Sequence, residues 1–411
     1  MIALLGDPAV RSVQIIAVAF GAVAIALGCR QADSSHLGSA SRGVNWIALA
    51  APLLVLAQLV PLPLSWSHPI WASAAEALPG QSFGHVTVDI GRSVQALVAI
   101  VALATATGIC IAVARDRRRA ELILLAASVF TTLLSLTVLF TSFFSGGPAG
   151  TIPSQTAIGF VGIGLILNLA VLLLAFERYE TRRKEAAHYV PVGLGGCVAI
   201  LINGAALYRI ADASQWTVVA LGVAIMLLLL VIRRWALSRW TIGALCAAAL
   251  IGTGIVMAWL FDKNAAASGL LRFVPPPPAD MLATLQRLIA DSRWFGSGAN
   301  TFDVVARIYQ SADPVGSPAP PTFAIALAVE TGWVGLLVFT VSGLALFTKL
   351  FTGALERGRD WFFPAAAAAC VAVCLCGSLV AAGLTQLPFA TMLAIIVGVG
   401  LSQGVSQSSS R

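Results

Sequence analysis

The sequence predicts an all-α, polytopic membrane protein, and three observations carry that reading. Of its 411 residues, 58% are hydrophobic and 10% charged, where a soluble domain carries about 25% charged residues. The mean hydropathy is +0.90. The few charges sit in short clusters between apolar runs of about 20 residues, the length needed to cross a hydrocarbon core. Lipid satisfies no exposed backbone donor or acceptor, so such runs must be helices. Nothing alternates in the short segments of a transmembrane barrel.

Eleven spans are expected, at about 10–29, 44–64, 93–114, 120–143, 156–176, 189–208, 216–232, 240–261, 325–348, 362–383 and 388–405. Residues 1–411 read as a single membrane domain. Basic residues orient it. Arg115, Arg117, Arg118 and Arg119 follow the third span, and Arg178, Arg182, Arg183 and Lys184 follow the fifth. Arg233, Arg234 and Arg239 follow the seventh, and Lys349, Arg357 and Arg359 the ninth. With Arg30, Arg42 and Arg411, 17 of 25 basic residues fall on one side, which the positive-inside rule makes cytoplasmic. This explains the net charge of +7 without nucleic acid, for which no basic stripe with interleaved aromatics exists. The N-terminus then lies outside and the C-terminus inside. That odd parity raises the expectation of a twelve-span fold whose first helix precedes Met1.

Two outside segments are long. Residues 65–92 contain Trp66 and Trp71, which read as interfacial anchors with sugar contact as the alternative. Residues 262–324 form the largest polar feature. Pro275 to Pro278 open it as a stiff polyproline stretch. Met281, Leu282, Leu285, Leu288 and Ile289 then share one face of a short amphipathic helix, placed on the membrane surface or on the bundle. A glycine-rich turn, Ser292-Arg293-Trp294-Phe295-Gly296-Ser297-Gly298, follows.

The seven cysteines lie within or at the ends of spans, with no disulfide or zinc spacing. Cys370 and Cys374 share a helix face but read as small buried side chains. No metal or other cofactor is expected.

Three stretches resemble the O-antigen ligase and O-antigen polymerase family of bacterial membrane proteins. The first is Gln58-Leu59-Val60-Pro61-Leu62-Pro63 with Trp66, His68-Pro69, Leu78-Pro79-Gly80 and Val86-Thr87-Val88-Asp89. The second is the amphipathic helix and Gly-x-Gly turn ending in Phe, here Gly296, Gly298 and Phe302. The third is Glu330-Thr331-Gly332-Trp333-Val334-Gly335, similar to the family's Glu-x-Gly-x-x-Gly segment. The resemblance implies a multi-pass protein of the bacterial inner membrane, in surface polysaccharide or lipopolysaccharide assembly. It implies transfer of a glycan from a polyprenyl-pyrophosphate carrier to an acceptor on the periplasmic face, beside other polysaccharide-assembly proteins. Membrane lipid is the remaining expected partner.

The chain departs from the family where the chemistry would lie. The family's His, nine residues before the motif Glu, is Pro321 here. Its Arg and Trp in the amphipathic helix fall on Pro278 and Leu282, and its Asn-rich cluster on Gly150 to Ala157. The remaining candidates are Arg287, Arg293 and Arg272 for a pyrophosphate, which guanidinium groups hold by paired hydrogen bonds, and Glu330. A carboxylate at the mouth of a span is costly unless paired or wet. Three readings stay open. The chain is an active, metal-independent glycosyltransferase, or an inactive family member acting as an assembly partner, or a small-molecule transporter.

Overall fold

A computed structural model of the protein describes residues 8–28, 31–77, 83–144, 154–181, 186–235, 270–271, 279–292, 294–309 and 319–405. The expected eighth span, 240–261, and Arg272 and Arg293 lie outside the described residues. The elements are α1 (Pro8–Gly28), α2 (Gln31–Ala40), α3 (Asn45–Leu59), β1 (Leu62–Pro63), α4 (Pro69–Ala77), β2 (Phe83–Gly84) and α5 (Ile90–Val113). Then come α6 (Arg117–Phe144), α7 (Ser154–Thr181), α8 (Ala186–Ile210), α9 (Ala213–Trp235), α10 (Ala279–Ala290), α11 (Phe302–Tyr309) and α12 (Phe323–Glu330). The chain closes with α13 (Gly332–Glu356), α14 (Phe362–Val380) and α15 (Leu387–Gly404). Among the described residues, nine helices are long and apolar enough to cross a membrane, and α2–α3, bent by 81°, makes a tenth if the pair counts as one span. The protein is a multi-pass membrane helical bundle.

Two expected spans are corrected. The run at 44–64 forms only the 15 residues of α3. Val60 turns extended at ψ 130°, because Pro61 disfavours a helical residue before it and lacks the donor to continue. The span expected at 325–348 is broken. Residues 323–330 form the separate helix α12, and Gly332 carries a φ of +68°, in the left-handed region that favours glycine. The spanning helix α13 therefore begins at Gly332 and runs eight residues past the expected end at 348, to Glu356.

α14 is the axis of the bundle. Ala365 to Ala369 and Cys370 are essentially inaccessible, and it packs on α7, α9, α13 and α15. Small side chains let helix backbones approach closely where lipid supplies no hydrophobic drive between helices. A polar seam joins α6, α7 and α8. Asn168 takes a hydrogen bond from Ser128, and Asn203 one from Ser135 at 2.8 Å. Both amides donate to the Thr132 hydroxyl, at 3.2 and 3.3 Å.

The end rich in basic residues is laced by charge. Arg178 is 2% exposed and bonds Glu121 and, at 3.2 Å, Asp360. Arg117 reaches Asp360 at 2.7 Å. Arg233 donates to the carbonyls of Ala354 at 3.1 Å and Gly358 at 2.6 Å and to that of Arg357. Its guanidinium lies 5.2 Å from the centre of the Trp361 ring. Four helix ends and the 357–361 turn are thereby held together. We call this the inner end and its opposite the outer end.

Candidate functional site

The outer segments do not float free of the bundle. Leu285 and Leu288 of α10 bury against Phe302, Val305 and Ala306 of α11 and Ile325, Ala326 and Val329 of α12. The apolar face expected for α10 therefore exists, and it packs on protein. This small second core makes residues 279–309 a lobe seated on the bundle.

Beneath the lobe, the three stretches singled out in the sequence meet at Gln58, on the last turn of α3 and 1% exposed. Its amide nitrogen donates to the carbonyls of Phe295 at 2.7 Å and Glu330 at 2.9 Å. Its amide oxygen accepts from the Ala299 N–H at 3.1 Å. One side chain thus ties the first stretch to the second and third. The ties extend on either side. The Val88 N–H donates to the Ser297 carbonyl at 2.8 Å, and the Ser297 and Gly298 N–H groups donate to Val329 and Glu330 at 3.0 and 2.9 Å. Ser93 donates to the Ala299 carbonyl at 3.2 Å. Such close approach requires glycine. At Gly298 φ is +113°, and a Cβ there would fall 2.1 Å from the Thr87 hydroxyl.

Four charged groups gather at this junction. Asp89 caps α5, accepting from the Arg92 N–H at 3.1 Å. The Arg92 guanidinium pairs with Asp303 in the first turn of α11 and lies 3.6 Å from Asp89. Glu330 accepts from the Phe302 N–H at 3.2 Å, at the N-terminus of α11, where backbone dipoles favour an anion. Glu330 lies two residues before the spanning helix α13. It is half-buried as a residue, with its carboxylate surrounded by protein. Burial pushes that carboxyl up to about 7, against the hydrogen bonds from the Asn300 and Phe302 backbone that favour its charged form. Asp303 adds to the rise and Arg92 opposes it. A carboxyl near neutrality can accept and return a proton at working pH.

The expected residues divide. Glu330 is at the centre. Arg287 lies on the exposed face of α10 and makes no ion pair among the described residues. Pro321, at the resemblance's His position, is half-buried just before α12. Trp66 is exposed. Trp71 is half-buried: its indole donates to the Thr87 carbonyl at 2.9 Å and its ring packs edge-on against His85. Sequence reasoning missed Arg92 and Asp303. The available signal was an arginine at the outer mouth of a span, against the inside bias, three residues after a capping Asp.

The sequence matches no family model and no curated protein.

Proposed function

We propose that this chain is an O-antigen ligase- or polymerase-like protein of the bacterial inner membrane, engaging a polyprenyl-pyrophosphate-linked glycan at the periplasmic face. Its setting would be surface polysaccharide or lipopolysaccharide assembly. The observation that carries the reading is the convergence on Gln58 of the three stretches that carry the resemblance. Residues far apart in sequence form one junction at one end of the bundle. In this reading Glu330 takes the proton from an acceptor hydroxyl, the part a His plays in the family pattern. The pyrophosphate leaves with its carrier, its charge met by Arg287 together with Arg293 and Arg272. Arg92 is a weaker choice for that role, since Asp303 and Asp89 already neutralise it.

A specific observation also favours the second reading, a non-catalytic assembly partner. The proton acceptor of the family pattern is replaced by Pro321, and Glu330 is engaged in holding the start of α11. Purified protein supplied with a polyprenyl-pyrophosphate oligosaccharide and candidate acceptors separates the two. Transfer that is lost in Glu330→Gln and Arg287→Ala supports the catalytic reading. Binding of the lipid-linked glycan with no transfer to any acceptor supports the partner reading.

A further inference from the structure

The turn that carries Ala299 and Gly298 to Gln58 begins with Trp294 and Phe295. Their side chains are 73% and 49% exposed, although each ring has on the order of 150–250 Å² to bury. Their backbone is held firmly. The Trp294 carbonyl accepts from the Val334 N–H at 3.2 Å, in the first turn of α13. The Phe295 carbonyl accepts from Gln58 at 2.7 Å, in the last turn of α3. The aromatic pair is thus pinned at the outer ends of two membrane helices, level with the start of one and the finish of the other.

Both helices expose an apolar stripe that leads to this point. Beyond Trp46, the large apolar residues exposed on α3 and its cap are Leu49, Leu53, Leu56 and Val60; on α13 they are Trp333, Leu337, Val341 and Leu344. The spacing of three and four residues marks one face of each helix. In a membrane bundle such faces meet acyl chains, so the stripes are the lipid boundary of the protein. Trp333 and Val60 are their outermost members, and Trp294 and Phe295 are bonded to the same helix ends. Tryptophan favours the headgroup level, with an apolar body and one polar N–H. The inner ends of α3 and α9 carry exposed Trp46 and Trp235 in the matching place.

We propose that Trp294 and Phe295 form a membrane-docking wedge, seated in the headgroup–acyl boundary of the outer leaflet as a continuation of the lipid-facing stripes of α3 and α13. The occupant of this apolar tip is the bilayer itself. Docking fixes the depth of everything behind the tip. Ser297 to Phe302 follow directly and hold Gln58 and Glu330, so the charged junction sits at headgroup level, where it meets a ligand carried in the membrane. The docking stands on exposure and backbone geometry alone and does not depend on the reading of the site.

The test uses full-length protein reconstituted in phosphatidylcholine vesicles, with the lipid brominated on its acyl chains close to the headgroup. Tryptophan emission of the wild type minus that of Trp294→Leu isolates the Trp294 signal. Trp294→Phe provides the same subtraction while keeping an aromatic ring, should the leucine variant fold poorly. The expected result is a difference emission at least halved by the brominated lipid and insensitive to aqueous iodide. A difference emission untouched by the brominated lipid and quenched by iodide overturns the proposal.

Discussion

The two ends of the bundle solve the same problem with different chemistry. At the inner end, helix termini are joined by arginine side chains: Arg178 and Arg117 pair with Glu121 and Asp360, and Arg233 reaches three backbone carbonyls. At the outer end, most ties run through backbone groups. Gln58 reads three of them, and the Ser297–Gly298 turn crosses to the Val329–Glu330 backbone. Charges of opposite sign draw helix ends together but tolerate many sequences around them. A backbone-directed junction demands particular residues: an amide at Gln58, glycine at Gly298, and a carboxylate where α11 begins. The outer end is therefore where sequence motifs are visible.

The largest expected effect lies at the inner end. Arg178→Ala leaves Glu121 and Asp360 short of a buried counter-charge and should cost about 3–5 kcal/mol, read as unfolding in detergent. An effect below the outer-end changes would reverse the comparison. Next is Gln58→Leu, which strands the Ala299 N–H and the Phe295 carbonyl. Unpaired buried groups of this kind cost about 1–3 kcal/mol each, and protease sensitivity should appear first in residues 294–302, while the inner end stays closed.

Glu330 sharpens the comparison through pH. Its folded value of about 7 lies above the ordinary carboxyl value of 4.5, so between these values the folded protein holds more protons than the unfolded chain. Stability should therefore fall as pH rises through that window, by at most about 3 kcal/mol. Glu330→Gln keeps an acceptor for the Phe302 N–H and should flatten that slope, measured as the unfolding midpoint from pH 5 to pH 8. An unchanged slope would mean the carboxylate is solvated. The smallest effect is expected from Arg92→Ala. The side chain is 35% exposed, and pairs of that kind contribute about 0.2–1 kcal/mol.

Much of this was legible in the sequence, and the failures have physical reasons. Apolar runs marked the spans, and the periodic face of Met281 to Ile289 marked α10, with Leu285 and Leu288 buried as expected. The breaks at Pro61 and Gly332 were written in the sequence too, but hydropathy runs straight through both. At the outer end, Gln58, the Gly-x-Gly turn and Glu330 stood out because backbone contacts constrain residue type. The Arg92–Asp303 pair did not, since an ion pair 211 positions apart has no spacing signature. Arg178 escaped for a related reason. Counting basic residues grouped them at one end of the bundle, but one arginine among many there carries no mark that it turns inward to Asp360.

The proposed function has the outer end engage a membrane-borne pyrophosphate. The direct measurement is binding of a polyprenyl-pyrophosphate oligosaccharide to the protein in lipid nanodiscs. Saturable binding is predicted, weakened about tenfold by Arg287→Ala, the loss of one charge-assisted contact, and left intact by Lys349→Ala at the inner end. No saturable binding by folded wild-type protein, or binding that Arg287→Ala leaves unchanged, would contradict it.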